Sequence, residues 1–400
     1  MKGGVVDDLR VMFTRKESST CLARSVMFLV IFAVGVIAGL WTATGPRTQY
    51  TRTYNNIVFP STTTTVYAEA GAEAEAGFAE FVAPTRLMHD MTDDQLFWRA
   101  SMVPVAAEYP FNRVPKVAFM FLTGRGELPL APLWERFFRG NEDRFSVYVH
   151  APPGMTVNVS TDSPFYGRQI PSQETAWGSI SLMDAEKRLL ANALLDFSNE
   201  RFVLLSESCI PLHSFRAVYD YLIGSRHSFV EVYFQQTKQC QGRYSRRMAP
   251  AIRLPQWRKG SQWFELSRDL AIDVLADTKY YPLFRRHCRP SCYPDEHYLP
   301  TTVNMLHGAR NANRTVTYVD WSKGGAHPAK YTAGNVTAAA IQGIRRRRWR
   351  NDRPCYYNQR PTSMIYIQQP LDHPVTREHK TPPLHLPAPH LVEFATVCMV

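Results

Sequence analysis

KVAFMFLTGRGELPLAPLWERFFRGNEDRFSVYVH, residues 116–150, decides the fold class. Its two ends, 116–122 and 145–150, are apolar runs too short for helices and rich in residues that suit a pleated sheet. Between them, 130–138 has helical periodicity, so the stretch reads strand, helix, strand. The runs are apolar throughout rather than alternating, as expected of parallel strands covered on both faces. The pattern continues downstream. A helix is expected at 179–197, with Leu182, Ala185, Leu189, Ala193 and Phe197 on one face, followed by a strand at 201–206. A helix at 214–223 and strands at 228–234 and 315–319 complete an alternating α/β domain with no internal repeat. Open parallel sheets bind ligands at the carboxyl ends of their strands, here 123–127, 150–154 and 206–211.

Upstream, residues 25–44 (SVMFLVIFAVGVIAGLWTAT) carry no charge and are long enough, at about 1.5 Å per residue, to span a hydrocarbon core of about 30 Å. Lys2, Arg10, Arg15, Lys16 and Arg24 precede this run and only Arg47 and Arg52 follow closely, so the amino terminus is expected on the cytosolic side. A cleaved signal peptide is disfavoured by the long charged leader and by Trp41, where small residues are wanted. The expected order is a cytosolic tail (1–24), a transmembrane signal anchor (25–44), a stem (45–110), a lumenal domain (111–360) and a proline-rich tail (361–400). The stem contains a threonine run and the tract AEAGAEAEAG, with too little apolar surface to offset ordering entropy, and a short helix is expected at 92–100. The sequons at Asn158, Asn313 and Asn335 all fall on the lumenal side. Six of the seven cysteines also lie there, in a compartment that permits disulfides whose pairing spacing does not reveal.

With 45% hydrophobic residues the chain has ample material for a core, and its net charge of +11 favours an acidic partner: nucleic acid, a membrane surface or a phosphorylated small molecule. Lumenal topology removes nucleic acid from that choice. No GxGxxG follows a strand, and GxxxxGK[ST], HExxH and GxSxG are absent, which argues against dehydrogenases, P-loop enzymes, zincins and common lipases. Thr123-Gly124-Arg125-Gly126 is a poor version of the phosphate loop a sulfotransferase needs. After the strand at 201–206, where many sugar-nucleotide transferases carry Asp-x-Asp for a divalent metal, the chain reads Ser206-Glu207-Ser208. One carboxylate makes a poor site for a hard cation, so a departing diphosphate would have to be met by Arg or Lys.

KVAFMFLTGRGELPL, RFVLLSESCIPL, WRKGSQWFELSR, YPDEHYLPT and YVDWSKGGAHP occur in that order, and together they resemble the plant branch of the core-2/I-branching β-1,6-N-acetylglucosaminyltransferases, glycosyltransferase family 14, over 116–358. The resemblance implies a GT-A type, Rossmann-like domain for a nucleotide sugar, an inverting reaction from a UDP-sugar, no metal cofactor, and a Golgi membrane setting with a glycoprotein or cell-wall glycan as acceptor. It places the general base on Glu296 of Pro294-Asp295-Glu296, with Asp295 and His297 as scaffold. The same three residues also fit the plain opening of a helix. Donor contacts are expected from Thr123, Arg125, His150 and Glu207, although Ala151-Pro152 replaces the His-x-Asp of animal relatives. Trp257, Trp263, Trp321 and Lys323 are candidates for the acceptor side, with core packing the competing reading for the tryptophans. Of the basic pair that holds the diphosphate in animal relatives, Arg353 matches the first member, whereas the segment expected to carry the lysine reads SMIYIQQPLDHP. The basic run at 345–350 reads either as a substitute or as a solvated face. Two functions follow: an inverting transferase, or a lumenal glycan-binding or scaffolding protein on the same fold.

Overall fold

The computed structural model describes residues 77–106, 108–288, 292–320, 328–329, 331, 334, 336–346, 356–357 and 360–361. Among them, no helix is long and apolar enough to cross a membrane. The expected anchor at 25–44 lies outside the described residues, as do Trp321, Lys323, Asn335, Arg353 and almost all of the tail at 361–400.

After a helical stretch at 77–82 comes helix α1 (Asp93–Ala100), followed by β1 (Lys116–Leu122), α2 (Ala131–Phe138), β2 (Phe145–His150), α3 (Ile180–Leu194), β3 (Asn199–Ser206) and α4 (Phe215–Ile223). The strands form a sheet of order β2-β1-β3 with every pair parallel, extended by the antiparallel β4 (Glu265–Ser267). Helices α5 (Arg268–Leu275), α6 (Tyr281–His287) and α7 (Pro294–Leu306) follow. The alternating α/β reading of 116–206 therefore corresponds to a parallel-dominated sheet.

Both faces of the sheet are covered, as the unbroken apolarity of the strands requires. Val117, Phe119 and Phe121 of β1 point into an aromatic cluster with Trp134, Phe137 and Phe138 of α2 and Phe215 of α4. Ala118, Met120 and Leu122 face the other core, built on α3 and α5. Helix α3 departs from the expected one-sided pattern, because every residue from Leu182 to Leu194 is buried. Its polar side chains are partnered: Arg188 forks onto Asp93 with two 2.7 Å bonds, Asp184 accepts from Tyr281 and Arg285, and Lys187 lies over the Phe97 and Tyr281 rings.

Several expectations are corrected. The stretch 228–234 is not a strand: β4 occupies the edge of β3, and residues 228–233 make single bridges to Asn311, Glu265 and Lys259. Residues 315–319 are irregular, with Thr315 Oγ1 accepting from the Thr317 backbone N–H. Part of the stretch expected as a stem is packed. Thr92 and Gln95 close a capping box on α1, and Leu87, Leu96 and Ala100 are buried in the core cluster around α3. Phe197, expected to end α3, lies beyond it and contacts Phe81 and Tyr109. Cys288 and Cys292 form a disulfide, Cys209 is disulfide-bonded, and Cys240 is a buried free thiol.

Candidate active site

The carboxyl ends of the parallel strands form one part of the site. After β1, Thr123 donates its backbone N–H to the His150 carbonyl at 3.0 Å, and its Oγ1 accepts from the Gly126 N–H at 3.1 Å. This turn leaves Arg125 exposed. Glu207, after β3, approaches within 3.7 Å of where a Cβ on Gly124 would stand, so the loops following β1 and β3 meet. Burial pushes the Glu207 carboxyl up, against hydrogen bonding from backbone amides and the charge of Arg125. His150 is enclosed. It is only 1% exposed, its Nε2 accepts from the Gln173 N–H, and burial followed by the charge of Arg188 lowers its pKa to about 4. The enclosed imidazole stands at the start of the loop after β2, with Nδ1 buried and without a partner among the described residues; Thr123 is likewise buried.

The second part is assembled around the amino-terminal turn of α7. Glu296 stands in its first turn, where the helix dipole favours an anion. Its Oε2 accepts from Arg243 at 2.6 Å and also from Lys259. Burial alone would raise the carboxyl, but these two cations overcome it and hold Glu296 below the usual carboxylate range. Among the described residues no side chain bonds to Oε1.

Local sequence explains how the cations arrive. In Trp257-Arg-Lys-Gly260, Trp257 is the anchor: it is 0% exposed, its Nε1 donates to the Cys240 carbonyl at 2.9 Å, and its ring stacks on His297 and Phe284. An enclosed ring offers no face to a sugar, so Trp257 is core and not an acceptor contact. Lys259 pairs backbone to backbone with Tyr233, and the Gly260 N–H donates to the Glu296 carbonyl at 2.9 Å. A Cβ on Gly260 would overlap the Glu231 carbonyl oxygen and stand 2.8 Å from Pro300 Cγ, so only glycine permits this approach. Arg243 leaves a 3-10 turn (Gln241–Arg243) just after the Cys240 carbonyl that Trp257 holds. Trp263 is half-buried and packs against both hydrophobic clusters.

The neighbours of Glu296 on α7 are buried. His297 donates through Nδ1 to the Arg258 carbonyl at 2.7 Å, and burial takes its pKa down to about 3. Asp295 is pushed up to about 7, first by burial and then by the charge of Glu296. Glu186 of α3 is raised by burial and by the charge of Asp295, with Gln262 donating to its Oε1 at 2.9 Å. Both acids are thus shifted upward, opposite in direction to Glu296. Of the sequons, Asn158 and Asn313 are both exposed, the latter at φ 56°. Sequence reading singled out Glu296 but not Arg243, Lys259 or Glu186; Lys259 sat inside a quoted motif, whereas Arg243 belongs to a basic run with no motif.

A family model described as Core-2/I-Branching enzyme matches residues 117–345, which includes both strand-end loops and the whole of α7. The chain is 38% identical over 266 residues to glycosyltransferase BC10 of Oryza sativa subsp. japonica, a match covering 58% of this chain and 65% of that protein. It thus spans just under two thirds of this relative's length. With the family model covering more than half of its sequence, the chain belongs to the core-2/I-branching enzyme family.

Proposed function

We propose that the protein is an inverting glycosyltransferase that moves a sugar, N-acetylglucosamine by family likeness, from a UDP-sugar to a glycan acceptor, with Glu296 as general base. The observation that carries this reading is an ionised carboxylate whose Oε2 is held by Lys259 and Arg243, with no side chain among the described residues bonded to Oε1. An acceptor hydroxyl hydrogen-bonded to Oε1 would attack the anomeric carbon as its proton passes to Glu296. One C–O bond forms, the bond from the anomeric carbon to the diphosphate breaks, and its electron pair leaves with UDP. A single displacement of this kind inverts the anomeric configuration. Lys259 and Arg243 fix the carboxylate in its rotamer and keep it ionised.

On the donor side, Arg125 and Glu207 stand at the meeting of the loops after β1 and β3, where sheets of this type receive nucleotides. With Ser206-Glu207-Ser208 supplying one carboxylate, the reading includes metal-independent chemistry, in which cationic side chains, Arg353 among them, meet the diphosphate. It also includes a Golgi membrane setting with the domain in the lumen, motivated by 25–44 and the placement of the sequons. Mobility shifts on glycosidase treatment of microsomes, with an amino-terminal tag open to cytosolic protease, would be the expected outcome; a protected tag would overturn the topology.

A donor screen on purified protein tests the activity. Transfer should persist within about twofold under excess chelator, and Glu296→Gln should lower the rate about 10²- to 10⁴-fold while leaving UDP affinity nearly unchanged. Restoration of a chelated enzyme by manganese would sink the metal-independent reading. The second reading, a binding or scaffolding protein, is favoured by one observation: SMIYIQQPLDHP stands where the family's diphosphate lysine is expected. UDP binding without transfer from any donor would select it.

A further inference from the structure

Tyr293, the residue before α7, is held at φ 55°, a left-handed backbone that is uncommon and costly for a bulky residue. Its side chain makes no cap to the helix, so capping does not explain its presence. A position that served only to turn the chain would be filled with less strain by glycine or asparagine. What the tyrosine does hold is Glu296, and from two directions. Its carbonyl accepts from the Glu296 N–H at 3.0 Å. Its ring lies under Arg243, whose guanidinium carbon stands 3.9 Å from the ring centre while Nη1 donates to Glu296 Oε2 at 2.6 Å. Around the ring, Gly178 takes φ 70° and comes so close that a Cβ there would stand 2.8 Å from Tyr293 Cε1, and Trp177 meets the ring edge to face at 4.9 Å. The Cys288–Cys292 disulfide ends at the preceding residue. The tyrosine is thus fixed both by the loop before α3 and by the chain that leads into α7.

From this geometry we infer that Tyr293 is a positioning residue for Glu296: its ring aims Arg243 at Oε2 and so sets the charge of the carboxylate. Arg243 leaves a short 3-10 turn on a long, flexible side chain, which by itself has many ways to point. An aromatic face attracts a guanidinium and confines it to one side of the ring, and the side fixed here puts an N–H on Glu296. The charged and titratable groups facing Glu296 are Lys259 from 257–260, Arg243, and Asp295 and His297 of α7, while Glu186 of α3 acts on Asp295. Burial already opposes the anion, so with Arg243 turned away Lys259 would be left as the one close cation among the described residues. Tyr293 touches no reacting atom in this arrangement and acts through the arginine. Its consequence for transfer rests on the general-base reading of Glu296, but its effect on the carboxyl is measurable without turnover.

The test uses the full-length chain in detergent and two readouts: the acid limb of the pH–rate profile for transfer, and the titration of the Glu296 carboxyl by carbon NMR of glutamate-labelled protein, assigned with Glu296→Gln. Tyr293→Asn suits the left-handed backbone and removes the ring; it should raise both by about one pH unit or more, the size expected when a carboxylate loses a close cation. Tyr293→Phe, which keeps the aromatic face, should titrate as wild type does. Tyr293→Leu fills similar space with no π face and should behave as Tyr293→Asn, so the comparison survives if the asparagine variant fails to fold. In an Arg243→Gln background Tyr293→Asn should add no further shift, because the ring acts only through the arginine. Wild-type titration in the ringless variants, a phenylalanine variant shifted as far as they are, or a full additional shift without Arg243 overturns the inference. If the carboxyl titration moves as expected while wild type transfers no sugar, the positioning role stands and the transferase reading falls.

Discussion

Glu296 has both of its cations on one oxygen, which makes its ionisation depend on Lys259 and Arg243 working against burial. Removing Lys259 disfavours the carboxylate, so its pKa must rise and the base must be lost at higher pH. For Lys259→Met the acid limb of the pH–rate profile for transfer should therefore shift upward, with UDP affinity unaltered; an unmoved limb would mean that Lys259 does not set the charge of Glu296. Asp295 gives the opposite dependence on stability. Its folded-state pKa of about 7 lies above its ordinary value, so the native state holds the proton more tightly than the unfolded chain. Stability from this group is full below the ordinary carboxylate range and is lost as pH rises through about 7. Asp295→Asn has no proton to lose, so its melting temperature relative to wild type should improve from about pH 5 to about pH 8. Differential scanning fluorimetry across that window checks the sign.

Within the elements, the junction between 257–260 and α7 decides whether the carboxylate and its cation meet. Gly260 carries that junction because the Glu231 carbonyl and Pro300 leave no room for a side chain. Gly260→Ala must push apart either the Tyr233–Lys259 pairing or the Gly260–Glu296 bond, and overpacking of this kind costs about 1–3 kcal/mol. In the helix Ala338–Arg346, by contrast, a methyl group on Gly343 would meet nothing within 4 Å, and alanine there should be neutral or stabilise by up to about 1 kcal/mol. Denaturant titration of the two variants measures the contrast, and equal stabilities would show that the close approach at Gly260 relaxes freely. Elements were legible where local chemistry sufficed: Thr92, Ser179 and Ser214 each cap the helix expected after them. The stretches 228–234 and 315–319 were not, because their apolar residues pack against cores without ladder partners, and β propensity alone does not supply a neighbouring strand.

At the scale of the whole molecule, α1 packs onto the core around α3, within the stretch expected as a stem. Its Asp93 neutralises Arg188, which also bonds Gln173, whose N–H in turn reaches His150 at the end of β2. A chain beginning at residue 111 would leave Arg188 buried without its carboxylate and uncover the packing sites of Leu87, Leu96 and Ala100. Stranding such a charge costs about 3–5 kcal/mol, so the shorter chain should melt roughly 10 °C or more below one beginning at 77, or fail to fold. Equal melting temperatures would restore 45–110 as a true stem. Sequence by itself determined the alternating α/β order, the strand ends at which ligands are sought, the family through its ordered motifs, and Glu296 as the carboxylate of interest, because each is written in local periodicity or contiguous residues. Tertiary structure alone decided that Trp257 is core, that His150 is enclosed, that α1 is docked, and that Arg243 and Lys259 converge on Glu296. Those facts depend on contacts between residues far apart in the chain, 37 positions for Lys259 and 53 for Arg243 with Glu296, and on a close backbone approach at Gly260, which no local pattern encodes.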